Sequence, residues 1–216
     1  VYNEQNKVVK EVALRSKAQR VPYSFSEGMT FTKTSLIGNK ENILAAFACC
    51  ALFSLSVADM EKGLETFVPL PHRLELVGTY NGIRFYNDSL ATIPEATIHA
   101  IESLGPDTET LIAGGFDRGV SYIPLGEYLL TSSIKTVILM GQTRKKIVAS
   151  LKSHTGHAIH VIEVFSMEEA IRAAYKNTAV GKICALSPAS TSFDQFKDYK
   201  DRGEQFRVWV DRIAHE

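Results

Sequence analysis

The alternation of apolar and polar residues from about residue 70 onward predicts a layered α/β fold. Two alternating runs flank Asn81-Gly82, a dipeptide that favours a tight hairpin turn because both of its residues tolerate positive φ. After the hairpin, short apolar runs alternate with amphipathic segments, which is typical of parallel strands joined by right-handed helical crossovers. We therefore predict a Rossmann-like open sheet, mostly parallel, with an antiparallel hairpin at its edge.

The same pattern gives bounds for the individual elements. Pro94 and Glu95 suit the first turn of a helix, and the spacing Ser166-x-x-Glu169 is that of a capping box. The predicted strands are 74–80, 83–87, 110–113, 136–140, 159–162 and 183–186. The predicted helices are 94–104, 121–130, 144–151, 166–174 and 201–214.

The first 66 residues have a different pattern. Residues 1–25 are charged and weakly strand-like, and residues 42–58 are apolar on nearly every side, which predicts one buried helix. The regular alternation of strands and helices begins only near Phe67. We therefore predict two domains, 1–66 and 67–216, the first of which looks incomplete.

Composition narrows the class of protein. Of the 216 residues, 45% are hydrophobic, so the chain can bury a substantial core. The 24 basic residues balance the 24 acidic ones, which argues against nucleic acid or an anionic membrane as the main partner. The three cysteines do not form a disulfide framework, and no apolar run approaches the ~18 residues of a membrane span. We expect a cytoplasmic protein without membrane insertion.

A polar cluster lies where a predicted strand gives way to a predicted helix. Asp88, Ser89 and Thr92 follow strand 83–87 and precede helix 94–104. In α/β folds this position faces ligands, because the carboxyl ends of strands meet the amide-rich amino ends of helices there. The same residue types are also common turn formers and helix caps, so the cluster by itself is consistent with either role.

Four blocks between residues 70 and 206 carry the most specific signal in the chain. They are LPHRLE (70–75), NDSLATIPEAT (87–97), LIAGGFDRG (111–119) and LSPASTSFDQFKDYKDRGEQF (186–206). Their order and spacing resemble those of the Mur ligases of bacterial cell-wall synthesis, most closely the branch that adds glutamate to UDP-N-acetylmuramoyl-L-alanine. The resemblance implies ATP-dependent amide formation through an acyl phosphate, with ATP, Mg²⁺, the UDP-sugar substrate and glutamate as cofactors and partners.

The resemblance also implies an identity for each predicted domain. Residues 67–216 resemble the C-terminal, glutamate ligase domain of the family, and residues 1–66 resemble the end of its central ATP-binding domain. In the family the P-loop lies upstream of the matched region, and no G-x-x-x-x-G-K-[ST] sequence occurs in this chain. We therefore expect a fragment without ligase turnover of its own, with most Mg²⁺ ligands and the UDP-binding domain outside it.

Family likeness further implies a set of nucleotide-binding residues. Asn39 and Asn42 parallel asparagines that hold the adenine, although either could instead cap the following helix. Arg73 parallels an arginine that reaches the nucleotide, although it could also form a surface ion pair. His72 parallels a histidine near the same junction and could equally pack the domain hinge. Asp88 parallels an aspartate that accepts hydrogen bonds from the ribose hydroxyls.

A second set of residues resembles the family's pocket for the incoming amino acid. Leu90 departs from the family, which usually has lysine there, and Ile93 replaces an asparagine, so other groups must hold the glutamate. A related branch that adds L-glutamate also lacks this lysine, which leaves the stereochemistry open. Arg118 matches a family lysine and keeps a positive charge. The residues implied for glutamate binding are Ser89, Leu90, Thr92, Arg118, Ser192, Phe193 and Tyr199.

The predicted fold also predicts where these motifs lie relative to one another. In an open parallel sheet, the loops that follow successive strands share one edge, even when they are far apart in sequence. We therefore expect four loops to converge on one hollow. They are 88–92, 114–118, 141–142 and 187–199.

Other polar residues are interpreted as structural. Those that mostly fit a solvated helix face are Asp194, Lys197, Asp201 and Arg202. Those with a metal-like spacing are His154, His157 and His160. The histidines fall across a predicted loop and strand start, and no acidic partner is regularly spaced with them, so we expect no metal site there.

Two alternatives to the glutamate-adding ligase remain open from the sequence. Within the same superfamily, a folylpolyglutamate-type ligase would use a similar arrangement. Outside enzymes, a stand-alone module could bind a nucleotide or an acidic metabolite at the same edge of the sheet.

Overall fold

The computed structural model of the protein describes residues 1–24, 40–152 and 156–216. The chain divides into two compact units, Val1–Pro69 and Leu70–Glu216. The described residues of the first unit form the parallel strands β1 and β2 and three helices. Their bounds are β1 Tyr2–Asn3, α1 Lys7–Arg15, β2 Pro22–Tyr23, α2 Lys40–Ala51 and α3 Val57–Thr66.

Three expectations for the first unit are wrong. The weakly strand-like lead contains helix α1, which begins because the Asn6 side chain accepts a hydrogen bond from the Val9 amide (3.1 Å). The single helix predicted over 42–58 is two helices, because Ser56 and Asp59 form a capping box that starts α3 afresh. Nor is α2 buried all round, since among its described side chains only Ile43 and Leu44 are buried.

In the second unit, six strands of the described residues form one sheet in the order β3-β4-β8-β5-β6-β7. Strand β3 pairs antiparallel with β4 at the edge, and the remaining neighbours are parallel. The predicted mostly parallel open sheet with an antiparallel hairpin is confirmed. The strands are β3 Glu75–Tyr80, β4 Ile83–Asn87, β5 Thr108–Ala113, β6 Thr136–Leu139, β7 His160–Glu163 and β8 Ile183–Leu186.

Helices cover both faces of this sheet. Helices α7 and α8 pack on one face through a core that includes Ile112 and Phe206, and helices α4, α5 and α6 pack on the other through Leu111 and Leu125. Because Leu111 and Ile112 are neighbours on β5, their side chains point to opposite faces, as the period of a strand requires. The helices are α4 Pro94–Leu104, α5 Ile123–Leu129, α6 Arg144–Lys152, α7 Met167–Asn177 and α8 Tyr199–Ala214.

The hairpin turn has the predicted backbone. Asn81 and Gly82 both have positive φ, 50° and 77°, which is the combination that the Asn-Gly dipeptide favours. A Cβ atom on Gly82 would lie 2.7 Å from Val180 Cγ1, but Val180 is 78% exposed and can move away, so it is the positive φ that favours glycine here. The turn fixes the register that pairs Tyr80 with Ile83, and a one-residue shift between Leu76 and Gly78 then places Asn87 opposite Glu75.

The amino ends of two helices differ slightly from prediction. Ser166 caps α7 as predicted, but the Glu169 carboxylate accepts from the Phe165 amide (2.8 Å) and not from Ser166, so the capping box is only half formed. Helix α8 begins at Tyr199, before the predicted residue 201, because the Asp198 side chain accepts from the amides of Lys200 and Asp201. This earlier start places Arg202 within the first full turn of α8.

The strand order brings the carboxyl ends of β4, β8, β5 and β6 side by side. The loops that follow these strands are therefore neighbours at one edge of the sheet. In the part of the chain that the structure describes, every helix is too short or too polar to cross a bilayer.

Candidate functional site

Side-chain and main-chain hydrogen bonds join the loops at the carboxyl edge. Ser187 Oγ, after β8, donates to Asp88 Oδ2 after β4 (2.8 Å). The Phe116 amide, after β5, donates to the Thr191 carbonyl (2.8 Å), and the Gln142 amide, after β6, donates to the carboxylate of Asp194 (2.9 Å). The four loops predicted to converge do lie together.

Asp88 is the most perturbed acid of this edge. Its side chain is 5% exposed and accepts from Ser187 Oγ and from the Leu74 amide (3.2 Å). Burial raises the pKa of Asp88 from 3.8 to about 6, and these two hydrogen bonds and the charge of Arg73 offset that effect only in part. A buried carboxylate at a strand end can accept further hydrogen bonds only where a ligand approaches its remaining lone pairs.

The segment before β3 is held against the end of β4. His72 and Leu74 have positive φ, 63° and 47°, and the His72 carbonyl accepts from the Leu90 amide (3.0 Å). The His72 ring has Nδ1 2.9 Å from Asn87 Nδ2 and meets the Tyr199 ring edge-on. His72 therefore packs between β4 and α8, while the neighbouring Arg73 is exposed.

Ser89 lies at the centre of a hydrogen-bond network around Arg202. Ser89 Oγ donates to the Tyr199 carbonyl (2.8 Å) and accepts from Arg202 Nε (2.9 Å). The guanidinium also donates to the Ser89 carbonyl (2.8 Å) and to the Ser190 carbonyl (3.0 Å). Burial lowers the pKa of Arg202 to about 10, so the group keeps its charge at neutral pH.

The interpretation of Arg202 as part of a solvated helix face is wrong. In α8, Arg202 falls on the same face as Phe206 and Val210, each four residues further on, and all three are buried. A signal was present in the sequence, since Arg202 belongs to the most specific of the four blocks. Asp194 also departs from that interpretation, because its Oδ1 atom is buried without a hydrogen bond among the described residues.

A buried chain of hydroxyls holds the glycine loop after β5. The Gly115 amide donates to Thr143 Oγ1 (3.0 Å), which lies 3.1 Å from Ser190 Oγ. Ser190 Oγ in turn lies 2.7 Å from the Tyr122 hydroxyl. Sequence reasoning did not single out Thr143, Ser190 or Tyr122, because hydroxyl residues this far apart carry no shared spacing.

Arg118 lies in the same glycine loop but has a different environment. The neighbouring Asp117 accepts from Lys146 Nζ (2.6 Å) and the Gly119 amide, and these contacts lower the pKa of Asp117. Arg118 itself is exposed, and its side chain has no hydrogen bond or ion pair among residues that the structure describes. A guanidinium without an internal ion pair can bind a carboxylate without first breaking one.

The remaining residues implied for glutamate binding occupy mixed environments. Ser192 is 2% exposed, and its carbonyl accepts from the Phe196 amide (2.9 Å), which turns the chain toward α8. Phe193 is 66% exposed. Leu90, Thr92 and Tyr199 are half-buried. The structure thus places this group at the carboxyl edge, with Phe193 the most exposed and Ser192 the most buried of its members.

The structure does not place the remaining positions singled out in the sequence at the carboxyl edge. Asn39 lies outside the described residues. Asn42 lies in the first turn of α2, in the first unit, and is inside the helix, not at its N-cap. Of the histidines with metal-like spacing, His157 has Nε2 2.7 Å from the Ile134 carbonyl, His160 begins β7, and His154 lies outside the described residues.

A doubly wound α/β sheet with polar loops gathered at its carboxyl edge defines the second unit as an α/β domain of the type that binds ligands at that edge. A profile described as "Mur ligase, glutamate ligase domain" matches residues 72–190. The chain belongs to the Mur ligase family.

Relatives and solved structures agree with this assignment. Two proteins named UDP-N-acetylmuramoylalanine--D-glutamate ligase are similar to the chain. That of Acetivibrio thermocellus is 40% identical over 183 residues, covering 82% of this chain and 38% of the relative. That of Aquifex aeolicus is 34% identical over 173 residues, covering 80% and 40%. The chain therefore spans about two fifths of the length of these curated relatives.

The solved structures show a shared fold. MurC from Thermotoga maritima is 18% identical with a TM-score of 0.56, over 81% of this chain and 38% of that one. MurF from Acinetobacter baumannii is 15% identical with a TM-score of 0.63, over 100% of this chain and 51% of that one. At these identities the likeness concerns architecture alone.

Proposed function

We propose that this chain is part of a cytoplasmic, ATP-dependent ligase that adds glutamate to UDP-N-acetylmuramoyl-L-alanine in peptidoglycan synthesis. The observation that carries the proposal is the 34–40% identity, over about four fifths of the chain, to proteins whose name states that reaction. The second unit acts as the glutamate ligase domain. The first unit acts as the end of the central ATP-binding domain.

The nucleotide is proposed to lie against the end of β4. Asp88 would accept hydrogen bonds from the ribose hydroxyls, because its buried carboxylate is fixed by Ser187 and Leu74 and faces the loop edge. Arg73 is exposed one residue from the strained His72 and would contact phosphate oxygens. Asn39 and Asn42 are proposed to bind the adenine, as the family likeness implies.

The incoming glutamate is proposed to occupy the hollow between the loops after β4, β5 and β8. Arg118 would bind one carboxylate, and the hydroxyl of Ser192 with the amides of its loop would bind the other. Leu90, Phe193 and Tyr199 would contact the aliphatic part of the amino acid, while Ser89 and Thr92 would complete the polar wall.

The reaction needs little covalent chemistry from these residues. In the first step, the terminal alanine carboxylate attacks the γ-phosphorus of ATP, forming an acyl phosphate and releasing ADP. In the second step, the glutamate amine attacks the acyl carbon, loses a proton and displaces inorganic phosphate. The chain's own residues act by positioning the amine and by neutralising charge. Mg²⁺ would neutralise the phosphates, and most of its ligands are proposed to lie outside this chain.

The stereochemistry of the glutamate depends on Leu90 and Ile93. The two curated relatives are named for D-glutamate, and this favours D-glutamate. Leu90 is half-buried, with its amide bonded to the His72 carbonyl, so it offers an apolar contact where a cation would bind a carboxylate. L-glutamate is therefore the specific competitor that the assay must include.

A phosphate-release assay on the full-length gene product tests the proposal. With ATP, Mg²⁺ and UDP-N-acetylmuramoyl-L-alanine, we expect release to require D-glutamate and not lysine or diaminopimelate. Preference for L-glutamate would keep the ligase and change its stereochemistry. Turnover with a basic amino acid alone would overturn the proposed substrate.

Replacing Arg118 by alanine is expected to raise the KM for glutamate by about 10- to 100-fold, because a charge-assisted hydrogen bond to a carboxylate is lost. The KM for ATP should change less than about twofold, since Arg118 contacts only the amino acid in this proposal. Initial rates of phosphate release against each substrate provide the measurement. Lys176→Ala, an exposed cation in the last turn of α7, is the matched control and should leave both constants unchanged. An unchanged glutamate KM in Arg118→Ala would remove Arg118 from the pocket.

A further inference from the structure

Arg202 is the largest fully buried charged side chain of the second unit. It is 1% exposed, and it projects from the first turn of α8 toward the carboxyl edge of the sheet. Among the described residues, its guanidinium donates only to neutral oxygens of Ser89 and Ser190. Within the same part of the chain no carboxylate forms an ion pair with it, and Asp194 acts on it only through its charge at longer range.

This arrangement is unusual because a buried charge is normally paired. Removing a cation from water costs several kcal/mol, and neutral acceptors return only part of that cost. A fold that needed only to fill this position could use an apolar side chain on the core face of α8, next to Phe206. The retention of a full charge here requires a reason beyond packing.

The bonds of Arg202 reach three segments that we assign to the glutamate pocket. Nε and one terminal nitrogen fix Ser89, in the loop after β4, and the other terminal nitrogen fixes Ser190, in the loop after β8. Through Ser89 Oγ the network continues to the Tyr199 carbonyl at the start of α8. The N–H groups of one planar guanidinium therefore fix the distance between the loop after β4 and the loop after β8.

We propose that Arg202 is a positioning residue for the amino-acid substrate: it locks the loops of Ser89 and Ser190 at the spacing that glutamate requires and places a positive charge behind them. The inference rests on the proposed function and names a residue outside the set implied by sequence. In the low-dielectric interior, a buried cation attracts a substrate carboxylate more strongly than a solvent-exposed cation does. With Leu90 in the place of a lysine, this charge supports the one supplied by Arg118.

The proposal predicts a selective kinetic effect. In the full-length gene product, Arg202→Gln keeps hydrogen-bonding capacity but removes the charge and the planar guanidinium, and we expect it to raise the KM for glutamate about tenfold or more. The KM for ATP should stay within about twofold, because Asp88 and Arg73 do not bond to Arg202. Arg202→Lys restores the charge without the planar guanidinium and should recover part of the lost affinity. Phosphate-release kinetics with each substrate varied in turn give these constants.

The matched control is Arg212→Gln, on the same helix. Arg212 is exposed in the last turn of α8, and its guanidinium lies 5.0 Å from the centroid of the Trp209 ring. It should leave both KM values unchanged. Should Arg202→Gln fail to fold, Arg202→Lys carries the test, since it keeps the charge and loses the bonds of Nε and the two terminal nitrogens: a glutamate-selective rise in KM supports the positioning role, and KM values equal to those of the wild type overturn it.

The outcomes separate this inference from the proposed function. If the wild-type protein releases no phosphate with any amino acid, the proposed function fails and the inference fails with it. If the wild type is active but Arg202→Gln changes only stability, or shifts the KM for ATP and glutamate equally, Arg202 is purely structural and the inference alone is overturned. If the KM for glutamate of Arg202→Lys is as high as that of Arg202→Gln, the positive charge has no role in glutamate binding.

Discussion

Asp88→Asn is expected to stabilise the second unit by about 3 kcal/mol at pH 7.5 and to leave its stability nearly unchanged near pH 4. The pKa of Asp88 is raised from 3.8 to about 6 by burial, so the folded state holds this proton more tightly than the unfolded chain does. The stability of the wild type therefore falls as the pH rises from about 4 through 6 and levels off above about 7. An asparagine has no charge to bury and should not show this fall.

The substitution preserves the local hydrogen bonds. An asparagine Oδ1 can accept from the Leu74 amide as Asp88 does, and its Nδ2 can donate to Ser187 Oγ. Ser187 Oγ can still donate to Thr97 Oγ1, 3.1 Å away. The difference between the two proteins should therefore report mainly the charge, reduced by the cost of burying the second N–H of the asparagine amide.

Urea unfolding between pH 4.5 and 7.5, followed by the fluorescence of the single tryptophan, Trp209 on α8, measures this effect. The matched control is Asp107→Asn, because hydrogen bonds from Lys182 and Arg84 lower the pKa of Asp107. The Asp107→Asn variant should be less stable than the wild type at neutral pH and equally stable in acid. This pH dependence has the opposite sign to that expected for Asp88→Asn. If the free energies of unfolding of Asp88→Asn and of the wild type change in parallel with pH, the pKa of Asp88 is the same in the folded and unfolded states and the prediction is wrong.

The fold was predictable where local and long-range signals agree. The Asn81-Gly82 turn, the alternation of β3 and β4 and the purely apolar β8 each had one consistent interpretation, and the structure has all three. Helix 42–58 was misjudged because its apolar run conceals a break. The capping box of Ser56 restarts the helix there, and side-chain capping outweighed hydrophobic periodicity.

The site was predictable as a set of loops but not as a network. Periodicity placed Asp88 and Arg118 at the carboxyl edge, because strand ends determine which loops share it. The burial of Arg202 was misjudged, because in the sequence it is one member of the charged run 200–202, and such a run normally faces solvent. The hydroxyl contacts of Thr143 and Ser190 arise only from tertiary packing. The binding roles of these residues stay predictions.

Gly115→Ala is expected to destabilise the second unit by about 3–5 kcal/mol, the largest loss we predict for a single methyl group. A Cβ atom at this position would lie 2.2 Å from the Thr191 carbonyl oxygen and 3.2 Å from Arg202 Nη1. Its φ of 154° is also one that side-chain-bearing residues rarely adopt. The backbone carbonyl cannot swing away as a side chain could, because the Phe116 amide donates to it (2.8 Å).

Gly119→Ala is the control that separates steric clash from backbone strain. Gly119 lies in the same loop and has a positive φ of 78°, but nothing lies within 4 Å of the position that a Cβ atom would take there. The Gly119→Ala substitution should therefore destabilise the second unit by only about 1 kcal/mol, which is the cost of placing a side-chain-bearing residue at positive φ. Urea unfolding at pH 7.5, again followed by Trp209, gives both values.

The two variants also differ in their effect on the site. Relief of the clash at Gly115 requires the loop of Thr191 to move away, which carries the Ser190 carbonyl away from Arg202. Gly115→Ala should thus weaken glutamate binding as well as stability, whereas Gly119→Ala should affect stability slightly and binding little. Equal losses in the two variants would mean that strain in the glycine loop, not its close approach to the loop after β8, makes glycine necessary at position 115.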